Sequence, residues 1–388
     1  MVAATAPLHL ALVSETFPPE VNGVAMTLGR LTLGLRRRGH RVTVVRPRCP
    51  PDYAHGCPLP LGTQDEIHRP GVPLPRYPAL RMGVPSAMTL RAAWRRTPPQ
   101  VVHVATEGPL GISAIRAAAA LGIPCTSTFH TNFHDYAADY GWAWLEGTIF
   151  RYLKWVHNRC ACTLVPTAAQ AGDLQRRGFQ RVEVLSRGID ATLFRPDRRS
   201  AALRAAWGAG PDTLVCMTVG RLAVEKNLDL ALRAFHAVQA RRPDSLLVLV
   251  GDGPERMRLH GQARVVLVGT RCGEDLAAHY ASGDCFLFPS LSETYGNVLC
   301  EAMASGQAVL GFAYAAAAEL VSDGQDGLVV PFGDEAAFIA AAERLAGDPA
   351  LIRRLGAAAV AVAGRRSWER VLDRFTHHLR QAAAKEWA

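Results

Sequence analysis

Short unbroken apolar runs alternate along the chain with longer stretches in which apolar positions recur every three or four residues. The runs His9–Ser14, Arg41–Val45, Val101–Ala105 and Cys125–Phe129 have the length and continuity of strands covered on both faces. Between the first two, Val24, Leu28, Leu31 and Leu35 form one stripe, which predicts a helix over Val24–Arg38 ended by Gly39. After residue 190 the alternation restarts with strand Leu214–Val219, helix Leu228–Arg241 and strands Leu246–Val250 and Val265–Val268. Helix Glu274–Ser282, strand Cys285–Pro289, helix Asn297–Ser305 and strand Ala308–Phe312 follow, and Trp368–Ala388 reads as a last helix. Two blocks of alternating strand and helix imply two parallel α/β sheets.

At 388 residues the chain suits two domains of about 150 to 200 residues each. The Gly, Asp and Pro of Arg187–Pro196 mark the linker. This gives domains at 1–190 and 191–366, and a helix over 367–388. In open α/β sheets ligands bind beyond the carboxyl ends of the strands, which places the expected site in a cleft between the two.

An apolar share of 49% supplies two cores. The nine cysteines are scattered without a C-x-x-C pair, which fits thiols in a reducing cytoplasm, and no His/Cys cluster has zinc spacing. The run Leu8–Val13 reads as a buried strand rather than a signal peptide, and no segment reaches membrane-span length. Residues 1–190 hold 21 Lys/Arg against 12 Asp/Glu, and residues 191–388 hold 22 against 22, so the whole +9 excess sits in the first block. That asymmetry suggests an acidic partner for the first block only. No nucleic-acid-binding motif accompanies it.

The chemistry concentrates between Gly220 and Gly306. Gly-Arg-Leu-Ala-Val-Glu-Lys-Asn puts Arg221 and Lys226 on a loop after a strand, two cations suited to a diphosphate. Pro-Ser-Leu-Ser-Glu-Thr-Tyr-Gly-Asn-Val-Leu-Cys-Glu puts Glu293 on a loop and Glu301 within the next helix, two carboxylates suited to sugar hydroxyls. Together they describe a nucleotide-sugar pocket. In the first block, Ser14-Glu-Thr-Phe-Pro-Pro-Glu-Val-Asn-Gly23 leads to a helix start, where Gly23 lets backbone N–H groups approach an anion. Thr106-Glu-Gly-Pro-Leu-Gly111 follows the third strand and Phe129-His-Thr-Asn-Phe133 the fourth, which brings His130 to the carboxyl edge. No G-x-G-x-x-G follows any strand and no P-loop is present, so NAD-type chemistry is not indicated.

These five motifs, in their order along the chain, resemble the family-4 retaining glycosyltransferases over nearly the whole chain, above all bacterial members that mannosylate or otherwise glycosylate membrane lipids. The resemblance implies the GT-B fold: two Rossmann-like α/β domains facing a central cleft, with a C-terminal helix crossing back to the first domain. It implies that Arg221 and Lys226 grip the donor diphosphate and that Glu301 accepts from the ribose hydroxyls. It implies further that Glu293 meets the donor sugar and that His130 contacts that sugar near its reacting carbon. Gly23, Tyr295, Gly296 and Asn297 would complete the cradle. Relatives often carry Gly-Gly-Pro where this chain has Ala315–Ala318. Alanine avoids the positive-φ conformations of glycine, so either a short helical turn forms there or Glu319 meets the donor differently.

The resemblance also implies an oxocarbenium-like transition state attacked from the face the diphosphate leaves. The two cations would stand in for a metal, so no metal cofactor is expected. GDP-mannose is the expected donor, with a UDP-sugar as the alternative. Other readings are a sugar-nucleotide epimerase on the same fold and a silent binding module, which the presence of His130, Lys226 and Glu301 disfavours.

The expected acceptor is a membrane glycolipid or diacylglycerol-type lipid. Residues 75–96 mix Leu80, Met82, Val84, Met88, Leu90 and Trp94 with Arg76, Arg81, Arg91, Arg95 and Arg96. Residues 140–159 mix Trp142, Trp144, Leu145, Phe150, Tyr152 and Trp155 with Arg151, Lys154 and Arg159. Such mixtures suit an anionic membrane surface. The expected location is cytoplasmic, peripheral at the inner face of the membrane. Asp323–Gly327 reads as a turn, its spacing being wrong for a calcium loop.

Overall fold

The computed structural model describes residues 6–20, 22–48, 65–74, 77–130, 146–293 and 295–385. Residues 131–133 of the His130 motif, Thr294, and the aromatic residues Trp142 and Trp144 lie outside them, as do Arg76 and Leu145. Two compact units emerge: residues 1–187 with 369–388, and residues 188–368.

In the first unit, strands β1 (His9–Val13), β2 (Arg41–Pro47) and β3 (Asp65–Arg69) lie to one side of a parallel seven-stranded sheet. An antiparallel hairpin, β4 (Gly71–Leu74) and β5 (Tyr77–Gly83), stands apart from it. Strands β6 (Val101–Val104), β7 (Cys125–Thr128), β8 (Thr163–Val165) and β9 (Val182–Val184) complete the order β3-β2-β1-β6-β7-β8-β9. Register is set by apolar pairs such as Leu10 opposite Val42 on one side and Val101 on the other. The strand order reverses between β1 and β6, so their carboxyl ends open the crevice where such sheets bind ligands.

The first helix, Gly23–Arg37, starts where the Asn22 side chain accepts from the Ala25 N–H at 2.8 Å. It buries Leu28, Leu31 and Leu35 and ends at Gly39, whose φ is +81°. The last helix, Trp368–Ala383, gives the first unit Leu372, Phe375 and Leu379, all buried. Leu372 fits because Gly34 has no side chain: a Cβ there would lie 2.3 Å from Leu372 Cδ1. Phe375 packs edge-on against His103 at 4.9 Å between ring centres, and Asp373 pairs with Arg38 at 2.7 Å.

The second unit repeats the plan with β10 (Val215–Val219), β11 (Leu246–Val250), β12 (Val265–Gly269), β13 (Cys285–Phe288), β14 (Ala308–Phe312) and β15 (Leu328–Val330). All are parallel, in the order β12-β11-β10-β13-β14-β15, and the order reverses between β10 and β13. Alternate residues feed separate cores on the two faces. Val215, Met217, Val248 and Phe286 go to one, and Cys216, Leu247, Leu249 and Leu287 to the other. Nearly all residues of these strands are therefore apolar, with Thr218 in β10 an exception, which is why they read as unbroken runs. The chain's entry to and exit from this unit lie side by side: the Ile189 N–H donates to Arg366 O at 2.7 Å, and Gly188 packs on the Trp368 backbone.

Two expectations change in detail, whereas Cys125, Cys160, Cys162, Cys216, Cys285 and Cys300 are the buried free thiols expected. Leu90 and Trp94 belong to the first unit's core, so they are unavailable to a membrane surface. The alanine run does form a helical turn, Ala315–Leu320, yet its first residue adopts φ +48°, the conformation alanine disfavours. That conformation costs an L-residue about 1–2 kcal/mol. The substitution Ala315→Gly should therefore raise stability by up to about 1 kcal/mol after the entropy of the unfolded glycine is discounted. Urea midpoints of the two proteins measure this, and a loss of stability would show that Ala315 is right-handed in solution.

Candidate functional site

At the β10/β13 reversal of the second unit, Arg221 and Lys226 lie on the loop that leaves β10 and Glu293 on the loop that leaves β13. Gly220 leaves β10 with φ +148° and meets the β11 loop backbone to backbone: a Cβ at Gly251 would sit 1.8 Å from Gly220 O. Leu222 N–H then donates to Asp252 O at 3.0 Å, and Glu255 N–H donates to Leu222 O at 2.9 Å. The loop closes in a 3-10 turn, Val224–Lys226, and Asn227 in the left-handed region (φ +50°) turns it into helix Leu228–Arg241. The Leu291 N–H donates to Glu225 O at 3.0 Å, fastening this loop to the one that leaves β13.

That fastening brings Lys226 Nζ within 2.6 Å of Glu293 Oε1, both side chains partly buried. Arg221 lies 3.9 Å from Glu225. Arg221 and Lys226 line one pocket with Gly220, Phe288 and Ser290. Gly296, at φ +100°, caps helix Asn297–Ala304, and a Cβ there would press on Phe288 at 3.0 Å. The start of that helix carries the positive end of its dipole, a setting that favours an anion. Ala316 N–H donates to Tyr295 O at 2.8 Å, which ties this turn to the next loop.

Glu301 lies one turn into the helix, where the buried Tyr280 hydroxyl donates to its Oε2 at 3.0 Å. Burial, followed by the Glu301 charge, pushes the Tyr280 phenol well above its ordinary value, so it stays a donor. Glu319 pairs with Arg366 at 2.9 Å, and the pair lies near enough to Tyr295 and Cys300 to influence their ionisation. Tyr280 and Gly251 were not singled out by sequence. The Val-Gly-Asp-Gly that follows β11 was the available signal for Gly251, whereas nothing in the helix pattern separates Tyr280 from a core aromatic.

In the first unit, Gly23 opens its helix exposed, one residue after the Asn22 cap. His130 follows β7, and its Nδ1 lies 2.9 Å from Arg187 Nη2, both residues buried. Burial, then the Arg187 charge, holds the imidazole well below its usual value, so the ring is neutral. At the β1/β6 reversal, Glu15 is clasped by the Gly83 N–H at 2.5 Å and the Leu110 N–H at 3.0 Å. Gly108 leaves it room, since a Cβ there would collide with its carboxylate at 2.2 Å. Glu107 Oε1 meets His157 Nε2 at 3.1 Å, and His157 Nδ1 meets Ser127 Oγ at 2.9 Å. Arg187, Glu15 and Glu107 are additions to the sequence-derived residues. Both acids lie on loops that leave strands, a position that was visible in the sequence, whereas Arg187 reads there as part of a linker.

Of the mixed basic and apolar stretches, helix Ala87–Arg96 exposes Met88 (87%) beside Arg91, Arg95 and Arg96, and Met82 is also exposed. Trp155, 40% exposed, stacks under Arg159 at 3.8 Å, and Phe150 meets Arg177 at 4.1 Å. No helix of the described residues is long and apolar enough to cross a membrane.

The model of Glycosyltransferase Family 4 matches residues 21–193, and that of Glycosyl transferases group 1 matches residues 213–348. A GDP-mannose-dependent alpha-mannosyltransferase of Mycobacterium tuberculosis is 35% identical over 339 residues, 84% of this chain and 85% of its own length. Among solved structures, sucrose-phosphate synthase from Thermosynechococcus elongatus superposes with a TM-score of 0.78 at 22% identity, covering 97% of this chain and 99% of that one. HepE of Anabaena, solved with UDP-glucose, gives 0.74 at 18% identity, covering 96% and 100%. At these identities the two structures speak to the fold alone.

The Glu15 clasp makes stability depend on pH. Burial raises its carboxyl from 4.5 to about 7 against the amide donors of Gly83, Leu110 and Gly111. A raised folded value means the native state binds the proton more tightly, so this contribution is full below about 4.5 and is lost as pH rises through about 7. Urea midpoints should fall from pH 5 to pH 8 by the equivalent of up to about 3 kcal/mol through this group. Glu15→Gln should flatten that part of the slope, and identical slopes in both proteins would show that Glu15 titrates as an ordinary carboxyl.

Proposed function

This chain is a member of glycosyltransferase family 4, a sugar-transferring enzyme of the GT-B class, and from that premise we propose that it moves mannose from GDP-mannose to a lipid hydroxyl with retention of configuration. The observation that carries the donor site is the Lys226–Glu293 pair at the β10/β13 reversal, beside Arg221 and the start of helix Asn297–Ala304. A nucleoside diphosphate placed there meets two cations and a helix N-terminus, while its ribose meets Glu301. Both cations gain most as the leaving diphosphate takes up charge, which is where stabilisation raises the rate. Glu293 beside Lys226 would hold the ammonium in place and accept from the sugar. The departing phosphate oxygen would take the acceptor's proton as the new bond forms on the same face.

The mannosyl donor is supported by the 35% identical relative named for it. A UDP-sugar is a second reading, because the features described engage diphosphate, ribose and sugar and none of them reads the base. Glucosyl or uronosyl transfer would then run on the same residues. The lipid acceptor is supported by the charge excess of residues 1–190 and by the exposed Met82, Met88, Arg91, Arg95 and Arg96, a surface suited to acidic headgroups.

Melting in the presence of GDP, UDP, ADP, GDP-mannose, UDP-glucose and UDP-glucuronate tests the donor, because a ligand that binds only the native state raises the midpoint. A selective GDP shift is expected. A UDP shift would move the reading to the second donor, and the absence of any shift would dismiss the pocket. Transfer to lipid in anionic vesicles should proceed in excess chelator and weaken with salt. Activity that returns only with magnesium or manganese would refute the metal-free mechanism, and vesicle binding indifferent to salt would refute the charged surface.

A further inference from the structure

His130 and Arg187 are 57 residues apart, yet they meet at 2.9 Å within the first unit, both largely buried. A guanidinium only donates hydrogen bonds and does not lose its proton in proteins. His130 Nδ1 must therefore be the accepting nitrogen, which leaves the ring proton of the neutral imidazole on Nε2. We propose that Arg187 is a positioning residue for catalysis, holding His130 as the neutral Nε2–H tautomer that donates to the transferred sugar. The proposal rests on the transferase reading above and adds to it the residue that sets the histidine's chemistry.

Neutrality matters for this reaction class. An oxocarbenium-like transition state carries positive charge at the reacting carbon. An imidazolium beside it would oppose that charge, whereas an N–H of a neutral ring still donates. Arg187 keeps its own charge on the opposite ring edge. Among the described residues, His103 on β6 and His157 on helix Glu146–His157 also act against a second proton on His130. His103 is itself fixed neutral, its two nitrogens 2.9 Å from Thr126 and Thr128 and its value lowered to about 3 chiefly by burial. A purely structural arginine would explain the contact but would leave the enzyme's pH profile unaffected.

The test is made on the full chain, combining imidazole nitrogen NMR of His130 with kcat and donor KM from pH 5 to 9. The wild type should show the Nε2–H form with no titration near 6.5. Arg187→Met should admit the Nδ1–H tautomer and move the His130 titration, with an acid limb in the rate, to higher pH, while burial still holds it below the ordinary imidazole value. It should lower kcat at least about tenfold while donor KM moves less than about threefold. Arg187→Lys, which keeps a donor and a charge, should recover part of the loss. An Nδ1–H form in the wild type, or an Arg187→Met enzyme with the wild-type profile, overturns the proposal. If Arg187→Met does not fold, the wild-type tautomer and the Arg187→Lys profile decide it. Should His130→Ala and Lys226→Ala both keep wild-type rates, the transferase site itself is misplaced. Should both lose activity while Arg187→Met does not, only the role of Arg187 falls.

Discussion

Gly220 O occupies the space that a side chain on Gly251 would need, and the donor loop is built outward from that backbone contact. With the two loops in touch, Leu222 can donate to Asp252 and accept from Glu255, so the segment that bears Arg221 leaves β10 on a fixed course. The left-handed Asn227 then turns the chain into its helix immediately after Lys226. Gly296 plays the corresponding part on the other side, where only a hydrogen clears Phe288 at the start of helix Asn297–Ala304. Arg221 and Lys226 thus face one pocket, with Glu293 held on Lys226, because the turns around them admit no side chain or only one in a left-handed conformation. Preorganised charges of this kind need no rearrangement when the leaving group develops its own.

The first unit handles its polar groups in another way. Its carboxyl edge holds three enclosed histidines and two acids, and almost every polar contact is internal. Glu15 is wrapped by backbone N–H groups, His103 sits between two threonines, and Glu107 answers His157. Arg187 is the buried cation among them, and it meets a neutral ring at His130. Burying polar groups is costly unless they are paired, so these contacts favour one arrangement of the loops that follow β1 and β6.

The sequence disclosed elements in proportion to their burial. Strand β11 and helix Leu228–Arg241 were legible to the residue, because one is apolar throughout and the other keeps one apolar stripe. Strand β3, Asp-Glu-Ile-His-Arg, was invisible because an edge strand with both faces partly wet shows no alternation. Strands β8, β9 and β15 have three residues each, too few for any periodicity. In the site, Arg221, Lys226, Glu293 and Glu301 could be read as charges placed where loops leave strands. Tyr280 and Arg187 could not, since their significance lies in which side chain they touch across the fold. Ala315 shows a further gap, because conformational preference foresaw neither its left-handed backbone nor the Tyr295 contact that accompanies it.

The helix from Trp368 to Ala383 fills a gap left in the first unit by residues made more than 180 positions earlier. As the chain leaves the ribosome, residues 1–187 therefore emerge with the seat of Phe375 and Leu372 still vacant, while residues 188–368 can already close their own two cores. The second unit is in effect a guest inserted into the first, able to mature while its host waits. A chain stopped at residue 368 would carry a finished second unit attached to a host with an exposed apolar trough, a ready target for chaperones or proteases.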